Sequence, residues 1–107
     1  MLIDTQAAAD YIEQHGWATG NWKDIDGRVC ATGAFIYTYP ELFDIHGVMF
    51  NSATYERRAR NREKLLKVLN THCDGGDFLA WNDSRCASAE EAVAKLRSIP
   101  PFELEVL

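Results

Sequence analysis

The 107-residue sequence predicts a small all-α domain, a bundle of four to five helices with a short extended C-terminal tail. Three observations carry that expectation. Apolar residues recur at three- and four-residue spacing in several windows, as they do in a helix with one buried face. Gly16, Pro40, Gly75-Gly76 and Pro100-Pro101 stop those windows at places that suit helices of ordinary length. Apolar residues make up 47% and charged residues 25%, a normal balance for one self-sufficient core, so residues 1–107 read as a single helical domain.

The first helix is expected over Thr5 to His15. Asp4 or Thr5 suits its N-cap, Ala8, Tyr11 and Ile12 share a face, and Gly16 suits its C-terminal end, with Trp17 folding back on it. Residues 18–28 are rich in turn formers, and Asp26-Gly27 marks a tight turn. Trp22 is expected to pin this loop to the core. Val29 to Tyr39 reads as the second helix, apolar on nearly every side and therefore central. Phe35, Ile36 and Tyr37 would also fit a strand. Ala31, Gly33 and Ala34 are small enough for another element to approach closely, and Pro40 ends or kinks the helix. Residues 41–51 hold Leu42, Phe43, Ile45, Val48, Met49 and Phe50 without a period, so a short helical turn near 41–45 and a packed loop are expected.

Ser52 opens the longest helix, about residues 53–72. Its apolar stripe is Tyr55, Ala59, Leu66 and Leu69, with Leu65 and Val68 beside it. Arg62 interrupts the stripe and either snorkels past the core edge or meets a carboxylate. After Gly75-Gly76, Asp77 to Trp81 reads as a short turn of helix and Asn82 to Ala87 as a loop. Ser88-x-x-Glu91 is a capping box for a helix running to about Ser98, with Ala89, Ala92, Val93 and Leu96 inward. Phe102 to Leu107 alternates apolar and acidic residues, which suits a strand edge or a docked extended segment.

Three of these blocks together resemble a family of small uncharacterised proteins from actinobacteria and their bacteriophages, a domain of unknown function. They are the first helix ending near Gly16-Trp17, the segment Cys30-Ala-Thr-Gly33-Ala34, and Trp81-Asn82-Asp83 before the terminal helix. After Asp83 the chain reads Ser-Arg-Cys-Ala, where members carry a Gly-Arg-Thr-like turn, and the tail beyond Pro101 has no counterpart. The resemblance implies a small helical fold and an actinobacterial or phage setting, and it implies no reaction.

Three cysteines at irregular spacing argue against a disulfide framework and point to a reducing cytoplasm. The N-terminal residues lack the pattern of a signal peptide, and no window approaches a membrane span. The net charge of −5 is unevenly placed. Residues 51–75 hold six bases and three acids, between flanks dominated by acids. Within that basic stretch Arg57, Arg60, Lys64 and Lys67 fall on one helical face, while Arg58 and Arg62 point elsewhere. A solvated face, partly neutralised by Glu56 and Glu63, is the plain reading.

The functional reading of the same face is a contact surface for an acidic partner protein or for a second copy of the chain. Nucleic-acid binding by the same helix is the alternative, against which the net charge and the lack of a recognition motif both count. An enzyme would have to use Cys30 or Asp83. Cys30 at a helix start, with His46 or His72, would give a Cys-His site, and Asp83 would need a second titrating partner. The structural readings are a buried cysteine facing other helices and a Trp81-Asn82-Asp83 turn serving the backbone. His72, Cys73, Asp74 and Cys86 carry metal-ligand atoms without the spacing of a metal site. No cofactor is implied. The expected protein is a non-catalytic, cytoplasmic binding protein.

Overall fold

A computed structural model describes residues 1–43 and 52–107. The elements run β1 (Leu2–Ile3), α1 (Thr5–His15), α2 (Ala31–Thr38), α3 (Pro40–Phe43), α4 (Ser52–Thr71), α5 (Phe78–Ala80), α6 (Ala89–Ser98) and β2 (Phe102–Glu103). The fold is thus mostly α, with one two-stranded sheet among the described residues. Ile45, His46, Val48, Met49 and Phe50, and the loop expected there, lie outside the described residues.

Helix α1 starts where Asp4 accepts the Gln6 amide and stops at Gly16, whose φ of 96° takes the chain out of the helix. It buries Thr5, Ala8, Ala9 and Ile12 against α2 and α6. The Thr5 hydroxyl donates to the carbonyl of Ile99 at 2.7 Å, which ties the first turn of α1 to the end of α6. Helix α2 is the central element: Ala31 to Ile36 are all buried. It begins two residues later than the apolar pattern predicts. Val29 is held extended instead, its amide donating to Gly16 at 3.0 Å and its carbonyl accepting from Ala18 at 2.9 Å.

Gly33 makes the close approach that its size permits. A Cβ at this position would lie 2.0 Å from the carbonyl oxygen of Trp22. The loop over residues 18–28 therefore packs its backbone onto α2. The expectation that the Trp22 side chain pins the loop is not met: it is 40% exposed. The loop is shaped instead by Asp24, whose carboxylate accepts the amides of Asp26 and Arg28, each at 2.9 Å. Tyr39 ends α2 in a non-helical conformation, as a residue before proline favours, and Pro40 opens α3 at once.

Helix α4 buries Asn61, Leu65 and Leu69. The expected stripe is rotated. Tyr55 is 56% exposed and Arg62 is exposed, so Arg62 needs no carboxylate to enter the core. Asn61 takes the inward place because its carboxamide satisfies backbone from two other segments, as described below. Asp77 caps α5 through the Ala80 amide, and the chain continues through a wide π-type turn, Trp81–Arg85, closed by Cys86 N–H donating to the Trp81 carbonyl at 2.8 Å. Asn82 to Ala87 is thus largely helical rather than a loop. Ser88 accepts the Glu91 amide at 3.2 Å and caps α6, while Glu91 reaches back to the Ala87 amide at 2.9 Å. The reciprocal bond of the capping box lands one residue earlier than the usual pattern. In the sheet, β1 and β2 pair antiparallel, with Leu2 opposite Glu103 and Ile3 opposite Phe102.

Candidate functional site

Two clusters gather the residues singled out by sequence. The first is built by α4 and the C-terminal tail. Arg57, Arg60, Lys64 and Lys67 do share one face of α4, but their surroundings differ. Arg60 grips Glu105 with both prongs of its guanidinium, at 2.6 and 3.0 Å. The bond from Arg60, with the charges of Arg57 and Lys64 behind it, holds the Glu105 carboxyl below the usual carboxylate range. Glu105 in turn raises the Arg60 guanidinium further. Arg57 is half-buried and donates to the Thr54 hydroxyl at 3.4 Å. Lys64 and Lys67 are exposed and form no ion pair among the described residues.

The tail reaches Arg60 because Asn61 holds it there. The Asn61 carboxamide accepts the Glu105 amide at 2.8 Å and donates to the Glu105 carbonyl at 2.8 Å, as a residue of a neighbouring strand would. It also donates to the carbonyl of Leu42 at 3.0 Å. Leu104, between the two glutamates, is 4% exposed. Along the rest of α4 the tail leaves an open groove of about 700 Å³, with Val68 and Leu104 in its floor and Lys64 and Lys67 on its wall. Sequence reading missed Asn61 and Glu105 as members of this site. The available signal was one amide side chain set among leucines at four-residue intervals, at 61, 65 and 69.

The second cluster is centred on Asn82, which is 1% exposed. Its Oδ1 accepts the Trp17 indole N–H at 2.9 Å and the Ala31 amide at 3.0 Å. Its Nδ2 donates to the Ala18 carbonyl at 3.3 Å and to Asp83 at 2.9 Å. Asp83 also accepts the Gly20 amide at 3.0 Å. Every polar atom of the Asn82 carboxamide is thus bonded, and one residue joins the wide turn, the loop after α1 and the start of α2. Trp81 is the more exposed neighbour. Its ring rests on Phe78 at 5.3 Å between centroids and lies under the Lys95 ammonium. The buried anchor of Trp81-Asn82-Asp83 is therefore the amide rather than the indole.

Cys30 and Asp83, the two residues an enzyme would use, each accept a backbone amide here. Cys30 caps α2 by accepting the Gly33 amide at 3.2 Å, and it is 4% exposed. Burial pushes its thiol up, against the pull of that amide, and the Asp83 charge adds to the rise. Burial likewise raises the Cys86 thiol. His72 is exposed, and its carbonyl accepts from Lys95 at 3.4 Å. Among the described residues no three His, Cys, Asp or Glu side chains converge as metal ligands would, and no helix is long and apolar enough to cross a membrane.

No curated protein and no solved structure matches the chain. A family model does match, over residues 4–99, from the cap of α1 to the end of α6. The Asn82 cluster and Gly33 lie inside that span, and the tail that occupies the basic face lies beyond it. The chain belongs to the family of unknown function DUF6197.

Proposed function

We propose that this is a non-catalytic cytoplasmic binding protein, working in an actinobacterial or phage setting, that engages a partner protein through the basic face of α4. The partner segment is extended and acidic. The observation that carries the reading is the seating of the chain's own Glu105 on Arg60 and Asn61, beside a groove, lined also by Glu63 and Glu103, whose remaining cations, Lys64 and Lys67, form no ion pair among the described residues. The tail displays the chemistry the groove accepts: an extended backbone with an acidic side chain on the arginine and an apolar one beneath. Charge complementarity would steer encounter, and Val68 and Leu104 would supply apolar contact.

Lys64→Glu with Lys67→Glu is the test, because neither lysine bonds Glu105, whose hydrogen bonds from Arg60 and Asn61 keep both partners. The tagged protein and this variant are compared in pull-downs from actinobacterial extract. A specific protein retained by the parent and lost by the variant is expected. Equal retention would sink the proposed surface. If the parent instead binds duplex DNA or RNA with affinity that falls steeply with salt, nucleic-acid binding by the same helix takes its place.

A further inference from the structure

A second cavity of about 260 Å³ opens on the opposite side of α4 from the basic groove. Ile36 of α2 and Leu65 of α4, each 1% exposed, form its base. Trp22 and Leu79 stand at its mouth and leave large apolar surfaces in water, at 40% and 42% exposure. Thr32 also lines it and is 1% exposed, yet its Oγ1 has no hydrogen-bond partner among the described residues. Buried hydroxyls are almost always bonded, so this one lacks a donor or acceptor that an occupant would bring. Arg62 lies at the rim, exposed and unpaired among the described residues. Glu63 sits on the ridge between this cavity and the basic groove, since it lines both.

We infer that this cavity binds a small aromatic carboxylate bearing a second polar group. Its size is right for that class: a dry cavity of about 150 Å³ takes a benzene, so this one takes a one- or two-ring body. The ring lies between Trp22 and Leu79, where aromatic stacking and burial of both exposed side chains favour it. The carboxylate meets the Arg62 guanidinium, whose planar fork suits it. The second polar group bonds the Thr32 hydroxyl. This site is independent of the basic face and shares with it only Glu63.

The probe is 6-hydroxy-2-naphthoate, titrated into the labelled full chain by NMR, with 2-naphthoate and 6-hydroxy-2-naphthamide as comparisons. Saturable shifts are expected at the Trp22 indole and at the amides of Thr32 and Leu79. Arg62→Met should weaken the naphthoate about tenfold, a loss of ~1.4 kcal/mol, and leave the naphthamide unchanged. Thr32→Val should erase the preference for 6-hydroxy-2-naphthoate over 2-naphthoate. Lys64→Glu with Lys67→Glu should change none of this, which separates the outcome from that of the partner surface. The absence of saturable shifts at these three residues at millimolar probe overturns the inference, and so does equal affinity of the Arg62→Met protein for the naphthoate.

Discussion

The Asn82 Oδ1 accepts the backbone amide of Ala31 at 3.0 Å, the first residue of α2, across a sequence separation of 51 residues. Helix starts leave amides without an intrahelical partner, and in the apolar centre of this molecule water cannot serve them. Cys30 caps the Gly33 amide and Asn82 caps the Ala31 amide, so the most buried helix is satisfied from two sides.

Asn82→Ala is therefore expected to cost more than Trp81→Ala. The first leaves the Ala31 amide and the Trp17 indole without their acceptor, a loss of about 3 kcal/mol. The second removes a half-buried ring and should cost about 2 kcal/mol, below the ~3–5 kcal/mol of a fully buried tryptophan. Urea denaturation of the two variants checks the order, and a larger loss for Trp81→Ala would contradict it.

Gly33→Ala reverses a familiar sign. In a helix interior alanine is favoured over glycine by about 1 kcal/mol. Here the added methyl meets the Trp22 carbonyl oxygen at 2.0 Å. Backbone cannot step aside as a flexible side chain would, so a net loss of about 3 kcal/mol is expected. A melting temperature at or above that of the parent would show that the loop yields freely.

Asn61→Leu keeps the bulk of the side chain and removes the clamp on Glu105. The Glu105 amide and carbonyl and the Leu42 carbonyl each lose a partner, and a loss of about 2 kcal/mol is expected. Amide exchange should quicken at Leu104 and Glu105 while α1 and α6 stay protected. Unchanged exchange in the tail would mean that Arg60 and the pairing with the first residues hold it without Asn61.

Acid should release the same segment. Glu105 titrates lower in the folded chain than in the unfolded one, because Arg60 bonds its charged form. Its contribution is then present above the unfolded value, about 4.3 for glutamate, and disappears as pH falls through the folded value. Tail amides should therefore lose protection as pH falls through that lowered folded value. Glu105→Gln should remove that acid response, and a tail equally acid-sensitive in the Gln variant would assign it to another group.

Patterns that act within one turn of chain were legible in the sequence. Asp4, Ser88 and Gly16 mark helix ends through bonds to residues close by, and all three lie where their chemistry places them. Bonds between distant segments were not legible. Val29 looks helical by composition, and only the backbone of Gly16 and Ala18 alongside holds it extended. Asn61 reads as a polar interruption until the tail arrives to use it. Trp81 drew notice for its size, whereas the smaller Asn82 beside it fills the buried place. The pairing of the basic residues was not legible either. Glu56 and Glu63 are nearer in sequence, and the acid that meets Arg60 is Glu105.

The pairing of Leu2–Ile3 with Phe102–Glu103, and of α1 with α6, has a kinetic consequence. A polypeptide growing from the ribosome makes α1 early and α2 soon after, yet α6, which covers the other side of α1, emerges long after both. Local turns can form in passing, but closure must wait for contacts spanning most of the chain, and such contacts slow folding relative to bundles held by near neighbours. Nascent chains halted before α6 would then carry a greasy helix covered on one side only, ready to be seized by a chaperone or a protease.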